Sequence, residues 1–283
     1  MGKVSGIIRL MRPINCTMMG FAVFVGAVLA HPYLSSFNWL NILYGFLTGF
    51  TLTAASMTIN DYYDRAIDSI NEPFRPIPSG TVSEREALAF VFLLSVVGFI
   101  FSYFTSILCL AVALVSWIVV VTYVTVGKKS GLPGNFLVST CVAIPFIYGS
   151  IIVLNSVHLS VLLFTLMAFL SNTGREITKG IVDVKGDKAE GIRTLAVSYG
   201  EKNAAVVAVL FYVFAVALTP LTWLLNLVSI WFIPLVLVTD IGLVTCSILL
   251  LRQPSRENAR KIKRIVLYLF VVGLLAYVVG VLR

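Results

Sequence analysis

Acidic side chains recur at helical spacing just after one of the apolar stretches of the chain. Residues 60 to 68 read Asn-Asp-Tyr-Tyr-Asp-Arg-Ala-Ile-Asp. On a helix that turns by about 100° per residue, the amide and the three carboxylates of this segment fall within an arc of about 100°. Carboxylates on one face repel unless a cation lies between them, and oxygen ligands with room for water and phosphate favour Mg²⁺ over zinc or copper. The face comprises Asn60, Asp61, Asp64 and Asp68, and the pattern predicts a magnesium site on it.

A second acidic segment follows a later apolar stretch. If a helix continues through Gly180 and Gly186, its polar residues share a face about 80° wide. These residues are Asn172, Glu176, Lys179, Asp183 and Asp187, with Arg175 and Glu190 nearby. Lys179-x3-Asp183-x3-Asp187 repeats the spacing of Asn60-x3-Asp64-x3-Asp68. We interpret the two segments as a degenerate internal repeat that presents carboxylates to a shared cavity.

Basic residues are interleaved with both acidic segments. Magnesium bridged by aspartates, with arginine or lysine on the remaining charge, is a known arrangement for binding a diphosphate. Taken one at a time, each of these cations also fits the role of a membrane-topology anchor. The candidates are Arg65, Arg75, Lys128, Lys129, Arg175, Lys179 and Arg193.

Apolar stretches must position these segments. The chain of 283 residues is 59% hydrophobic and 12% charged, with mean hydropathy +0.97, which excludes an ordinary soluble domain. We predict an all-α integral membrane protein with nine transmembrane helices in one bundle around a central cavity, forming a single domain over 1–283. The connections after the second and sixth spans would form a cytoplasmic cap. The predicted spans are 15–31, 39–59, 87–106, 107–126, 136–154, 159–174, 203–225, 228–251 and 265–282.

The charges lie almost entirely on one side of this arrangement. Of the 21 basic residues, 20 fall on the side of the N-terminus and only Arg283 on the other. The positive-inside rule makes the first side cytoplasmic, with the C-terminus outside a cell membrane that the chain crosses many times. The net charge of +8 therefore reflects topology and an anionic substrate, and we predict no nucleic-acid partner.

One acid lies apart from the others. Asp240 falls midway along the eighth predicted span, and no basic residue lies within a span to pair with it. An ionised carboxylate there is unfavourable, so we expect a structural hydrogen bond, with lining of a substrate cavity as the alternative.

The paired motifs resemble those of the UbiA superfamily of intramembrane prenyltransferases. The sequence NDYYDRAID, followed by Arg-Pro-Ile-Pro-Ser-Gly at residues 75–80, is similar to that family's first motif, and Asp-Val-Lys-Gly-Asp at 183–187 is similar to its second. The resemblance covers essentially the whole chain. It implies nine helices, with both motifs on the cytoplasmic side.

The resemblance also implies how the residues would act. Mg²⁺ would bind an allylic prenyl diphosphate donor, cations would stabilise the departing pyrophosphate, and a dry cavity with aromatic faces would protect an allylic carbocation. The base that removes the acceptor proton stays open between Asp61, Asp68 and the pyrophosphate. The implied metal ligands are Asn60, Asp64, Asp68, Asp183 and Asp187, and the implied substrate-binding residues are Asn15, Asn60, Arg65, Arg75, Tyr123, Lys128, Lys129, Asn135, Arg175, Lys179 and Arg193.

Three further segments are most similar to the archaeal ether-lipid branch of the superfamily. They cover residues 9–16, 128–135 and 174–183. The similarity implies transfer of a geranylgeranyl group from geranylgeranyl diphosphate to the hydroxyl of a lipid acceptor, geranylgeranylglyceryl phosphate. An aromatic acceptor, such as 4-hydroxybenzoate or a quinone precursor, is the alternative within the superfamily. A secondary transporter is the alternative outside enzymes, but transport predicts charges near the membrane midplane.

Overall fold

The computed structural model describes residues 2–189 and 191–282, so Glu190 and Arg283 lie outside it, as does the side chain of Asn71. Within this range the secondary structure consists of helices. Ten are α-helices: α1 Lys3–Met11, α2 Pro13–Ala30, α3 Trp39–Asn71, α4 Glu84–Thr105, α5 Ile107–Thr125, α6 Leu132–Leu154, α7 Leu159–Ala189, α8 Leu195–Leu224, α9 Phe232–Arg252 and α10 Arg256–Val281. Two short 3₁₀ helices cover Leu34–Ser36 and Gly127–Lys129.

Each of the nine predicted spans coincides with one of these helices, from α2 onward. The predicted tight turn between the third and fourth spans is present, because Ser106 alone separates α4 from α5 and its backbone is extended. Eight helices of the described chain are long and apolar enough to cross a membrane, with α1 and α2 counted together as Lys3–Ala30. The ninth, α7, has an apolar first half and a polar second half. The multi-pass, all-helical prediction is confirmed, while α1 was not predicted.

Two helices are much longer than a membrane requires, and they carry the two acidic segments. The 33 residues of α3 and the 31 of α7 correspond to about 50 and 46 Å. A hydrocarbon core is about 30 Å thick, so the last turns of each helix extend beyond it. The helix α7 also continues through Gly180 and Gly186, since packing of Ile181 and Val182 in the core outweighs the poor helix propensity of glycine. Most of the predicted connection 175–202 is therefore helical.

The described chain divides into two compact units. The first contains Met1–Ala27, Ser35–Thr125 and Ile144–Ser156. One of its buried clusters joins Val23 of α2, Cys109 of α5 and Tyr148 of α6. The helices α2 and α6 approach so closely that a Cβ on Gly149 would meet the carbonyl oxygen of Val23 at 2.0 Å. Such small-residue contacts are how helices pack in lipid, where no hydrophobic effect drives them together.

The second unit contains Val28–Leu34, Val126–Ala143 and Val157–Arg283. Its core lies between α7, α8, α9 and α10 and includes Ile181, Tyr212 and Ile262. The helix α10 runs antiparallel to α7. Near its start, Arg256 donates from Nε to the carbonyl oxygen of Val182 at 3.0 Å, and near its end the hydroxyl of Tyr277 donates to a residue earlier in α7, Met167, at 3.3 Å.

Large apolar side chains cover the outside of the helices. Phe92 on α4 is 72% exposed, Ile118 on α5 is 64% exposed and Trp231 at the start of α9 is 71% exposed. Contiguous exposed apolar surface of this kind is unfavourable in water and normal against lipid. The high share of apolar residues in the composition is thus explained by apolar side chains that face outward, where lipid would contact them.

Candidate functional site

The first acidic segment forms the C-terminal end of α3, and its face is preorganised by hydrogen bonds. The side-chain amide of Asn60 donates from Nδ2 to Oδ2 of Asp64 at 3.0 Å. One turn later, Nη1 of Arg75 donates to Oδ2 of Asp68 at 2.6 Å. Because α3 is unbroken to residue 71, the predicted common face of Asn60, Asp64 and Asp68 is confirmed.

Asp61 is buried in an ion pair with a residue that was not predicted as part of the site. Nη2 of Arg12 lies 2.6 Å from Oδ1 of Asp61, whose side chain is 6% exposed, and Nη1 of Arg75 lies 3.7 Å from the same oxygen. Arg12 joins α1 to α2 with φ 51° and ψ 67°, a left-handed conformation that is uncommon outside glycine. In the sequence Arg12 fitted a topology anchor, and the signals for a further role were the extra acid beside the motif and the similarity of segment 9–16 to the archaeal ether-lipid branch.

The loop between α3 and α4 holds Arg75 in place. The backbone N–H of Arg75 donates to the carbonyl of Glu72 at 2.9 Å. Farther along, Ile77 and Val82 are buried in a cluster with Leu10 of α1. Burial tends to lower the pKa of Arg75, but the hydrogen bond to Asp68 and the charges of nearby acids outweigh it, so the pKa is raised and the guanidinium stays charged.

Two further residues of this unit, Arg65 and Asn15, were predicted to bind substrate. Nε of Arg65 is 3.0 Å from Oε1 of Glu84, and its guanidinium lies 4.3 Å from the centre of the Tyr62 ring. Arg65 therefore ties α3 to the start of α4. Asn15, in the first turns of α2, has an exposed side chain.

The second acidic segment has a different charge arrangement. Glu176 accepts from Nη1 of Arg175 at 2.9 Å and from Nζ of Lys179 at 3.4 Å. Asp183 is half-buried and has no hydrogen bond or ion pair to another described residue. Asp187, one turn later, is also half-buried.

A second unpredicted residue belongs to this region. Lys263 of α10 is half-buried and interacts electrostatically with charges of α7, namely those of Asp183, Lys179, Arg175 and Glu176. In the sequence it is one of six basic residues between 252 and 264, all of which fitted topology anchors. Nothing in that run distinguishes it, because only the packing of α10 on α7 selects the face on which Lys263 lies.

The loop before α6 packs against the end of the second acidic region. Gly131 has φ +72°, and a Cβ on it would lie 2.4 Å from the carbonyl oxygen of Arg193. A glycine is therefore required there both for the backbone conformation and for the close approach. Among the predicted substrate-binding residues here, Lys128, Tyr123 and Asn135 are half-buried, whereas Lys129 and Arg193 are exposed.

The donor atoms of these regions suit magnesium only if a substrate completes its coordination. Within residues 2–189 and 191–282, no three histidine, cysteine, aspartate or glutamate side chains cluster closely enough to hold a metal ion by themselves. The oxygens available at Asn60 and Asp64 form an incomplete set. Mg²⁺ commonly binds one or two carboxylates and takes its other ligands from water and phosphate, so the residues fit that ion.

Asp240 makes the hydrogen bond that its position predicted. Its Oδ2 lies 2.7 Å from Oγ1 of Thr219 in α8, and Thr219 also lies 2.8 Å from the carbonyl oxygen of Val216. That carbonyl lacks its usual helical partner because residue 220 is proline, which has no N–H. Asp240 is thus connected to the proline site of α8.

Comparison with known proteins gives matches along almost the whole chain. The model of the UbiA prenyltransferase family matches residues 19–279. A protein of Methanosarcina mazei named digeranylgeranylglyceryl phosphate synthase is 34% identical over 285 residues, covering 97% of each chain. The protein of the same name from Methanocaldococcus jannaschii is 31% identical over 283 residues, covering 100% of this chain and 98% of its own.

Solved structures match the fold. One, described as giving insight into digeranylgeranylglyceryl phosphate synthase in membranes, superposes with a TM-score of 0.88 at 32% identity and covers 99% of this chain and 98% of its own. A UbiA homolog from Archaeoglobus fulgidus bound to GPP and Mg²⁺ has a TM-score of 0.71 at 16% identity, covering 96% of this chain and 99% of its own. At that identity the second likeness concerns the fold alone.

Proposed function

The chain belongs to the UbiA prenyltransferase family, and on that premise we propose that it transfers a geranylgeranyl group from geranylgeranyl diphosphate to the free hydroxyl of geranylgeranylglyceryl phosphate. The observation that carries the proposal is the full-length similarity to proteins named for the product, digeranylgeranylglyceryl phosphate. The acidic segments of α3 and α7 support it, since both suit a magnesium diphosphate. The two compact units would act as one catalytic domain.

The proposed metal ligands are the carboxylates of both motifs, Asp64 and Asp68 on α3 and Asp183 and Asp187 on α7, with the amide of Asn60. A homolog bound to GPP and Mg²⁺ is consistent with this choice of ion. When bound, Mg²⁺ would supply positive charge to the diphosphate oxygens. The pairing of Asn60 with Asp64 supports a ligand role for that carboxylate, because it fixes the rotamer before any ion arrives.

The cations of the site would bind and neutralise the leaving group. Arg75 is the strongest candidate in the first unit, because its guanidinium is already oriented by Asp68 on the acidic face. Lys128 would serve the remaining phosphate oxygens. Loss of pyrophosphate leaves an allylic carbocation on the donor, which the acceptor hydroxyl attacks, and the hydroxyl proton goes to pyrophosphate or to a carboxylate. Since Asp61 is buried between Arg12 and Arg75, we assign it a positioning role.

We place the protein in the cell membrane, with its N-terminus and both motifs on the cytoplasmic side and its C-terminus outside. The placement of 20 of 21 basic residues supports it. The orientation requires α7 to cross the membrane as a ninth span in addition to the eight apolar helices. Reporter domains fused to the two ends test this, because nine crossings put the ends on opposite sides and eight put them on the same side.

The acceptor is tested by offering purified protein geranylgeranyl diphosphate with one acceptor at a time and identifying products by mass spectrometry. We expect product from geranylgeranylglyceryl phosphate and none from 4-hydroxybenzoate. Prenylation of the aromatic acceptor alone would replace the proposed substrate while keeping the reaction. Absence of product with every acceptor would favour a transporter instead.

A further inference from the structure

Three cations of the second unit converge around two carboxylates. Arg175 and Lys179 both bond to Glu176, and Lys263 of α10 interacts electrostatically with Asp183 first and then with Lys179, Arg175 and Glu176. Three cations around two carboxylates leave a surplus of positive charge, and the repulsion among the cations is relieved when an additional anion lies between them. We call Arg175, Lys179 and Lys263 the α7–α10 cation cluster.

The register of the two helices brings Lys263 to this level. Arg256 bonds to the carbonyl of Val182, and α10 then runs antiparallel to α7. Seven residues after Arg256, and thus about 10 Å along the helix, Lys263 lies on nearly the same face of α10. On α7, Arg175 lies seven residues before Val182, which is the same distance of about 10 Å along the helix axis. Because the helices are antiparallel, Lys263 and Arg175 therefore lie at the same level.

One edge of the Arg175 guanidinium, formed by Nε and Nη2, can donate to a further acceptor. Its bond to Glu176 uses Nη1, whereas its Nε atom is buried and has no acceptor among the described residues. A buried N–H without an acceptor is unfavourable. The Nε and Nη2 edge of a guanidinium matches two oxygens of a phosphate group, which a lysine ammonium cannot do.

The position of the cluster matches a lipid head group. The polar start of α10 ends at Arg264, and the helix is apolar afterwards; α7 is apolar until Leu170 and polar from Ser171. The cluster thus lies where both helices change from apolar to polar residues, which is the level at which a lipid in the bilayer carries its phosphate.

We propose that the α7–α10 cation cluster binds the phosphate monoester of the lipid acceptor, with Lys263 as a specificity-determining residue. This inference rests on the proposed function. A monoester that takes no part in bond breaking needs only charge and hydrogen bonds, and the cluster supplies both. The prenyl diphosphate donor is the other phosphorylated lipid of the reaction, so the test separates the two.

The experiment compares Lys263→Ala with Lys261→Ala in initial-rate assays in which each substrate is varied in turn. Lys261 is a matched control, because it is exposed and paired with Glu257. Loss of a charged hydrogen bond costs about 1.5–3 kcal/mol, so we expect the KM for geranylgeranylglyceryl phosphate to rise about 10-fold or more in Lys263→Ala. The KM for the donor should stay within about 2-fold, and Lys261→Ala should behave as wild type. Lys263→Arg, which keeps the charge, should restore most of the affinity.

A second measurement uses geranylgeranylglycerol, the same acceptor without its phosphate. Wild type and Lys263→Ala should convert it at equal rates if the lysine acts on the phosphate. An increase confined to the KM for the donor would overturn the assignment. An equal loss of rate with geranylgeranylglyceryl phosphate and with geranylgeranylglycerol would overturn it as well. If Lys263→Ala does not fold, Lys263→Gln is used with the same criteria. Wild type that makes no product with any acceptor would instead refute the proposed function.

Discussion

The two acidic segments share a spacing but differ in what neutralises them. On α3, arginines from other parts of the chain bond to the carboxylates themselves, Arg12 to Asp61 and Arg75 to Asp68, both at 2.6 Å. On α7, the cations bond to Glu176 and leave Asp183 without a hydrogen bond or ion pair among the described residues.

The difference indicates that the two acidic segments have different roles. A carboxylate already bonded to an arginine has part of its charge satisfied, so the first segment is organised before a substrate arrives. Asp183 interacts electrostatically with Lys263 but has no hydrogen bond or ion pair among the described residues, so its oxygens suit an incoming cation. We therefore expect substitution of Asp183 to affect metal-dependent chemistry alone, and substitutions around Asp61 to affect stability as well.

The largest effect is expected from removing a proposed metal ligand in either segment. Asp64→Ala and Asp183→Ala should each reduce prenyl transfer by about 1,000-fold or more, since the leaving diphosphate loses its main charge stabilisation. Product formation measures the loss, and thermal melting shows whether the fold is intact. Glu257→Ala, at an exposed acid, is the control. Substantial activity in either aspartate variant would remove that segment from the metal site.

A smaller effect is expected at Arg75, which tests whether the first segment binds the diphosphate directly. Arg75→Lys keeps the charge but loses the second hydrogen-bonding edge, so kcat/KM for the donor should fall about 10- to 100-fold. Arg85→Ala, at an exposed arginine of the same region, should leave it unchanged. An unchanged value in Arg75→Lys would assign Arg75 a purely structural role.

The ion pair of Arg12 tests the stabilising part of the comparison. Arg12→Ala leaves the buried Asp61 without its closest partner, so we expect the free energy of unfolding to fall by about 2 kcal/mol. This loss is smaller than for a fully buried ion pair, because the Arg12 side chain is 36% exposed. Lys3→Ala breaks an exposed pair with Glu86 and should have little effect. Denaturation in the same detergent compares the two, and equal stability would show that the pair of Asp61 is not structural.

The sequence was sufficient for the helices and for the acidic faces, because both follow from local periodicity. The apolar stretches predicted the positions of nine helices, eight of which are long and apolar enough to cross a membrane, and the spacing of Asn60, Asp64 and Asp68 predicted their common face. Arg12 and Lys263 were missed because their roles depend on packing between segments distant in sequence. The continuation of α7 beyond residue 174 stayed open in the sequence because the glycines at 180 and 186 suggested a break, which tertiary packing prevents.

The smallest effect on catalysis is expected at Asp240, an acid of the second unit that lies outside the motif. The hydroxyl of Thr219 donates to Oδ2 of Asp240 at 2.7 Å, so the carboxylate oxygen is the acceptor. Asp240→Asn keeps an oxygen that can accept this hydrogen bond and should retain activity within about 2-fold and normal stability, whereas Asp240→Leu should lower the melting temperature because Thr219 loses this acceptor. A large loss of activity in a stable Asp240→Asn variant would place this acid in the reaction.

The central claim is that both segments act on a diphosphate through magnesium, and a metal titration tests it most directly. Metal-stripped protein is given geranylgeranyl diphosphate and geranylgeranylglyceryl phosphate, and the initial rate of digeranylgeranylglyceryl phosphate formation is followed as Mg²⁺ is added. We predict no product without metal, full recovery with Mg²⁺, and a higher Mg²⁺ requirement in both Asp64→Asn and Asp183→Asn. A wild-type rate that is unchanged by removal and addition of Mg²⁺ would contradict the account.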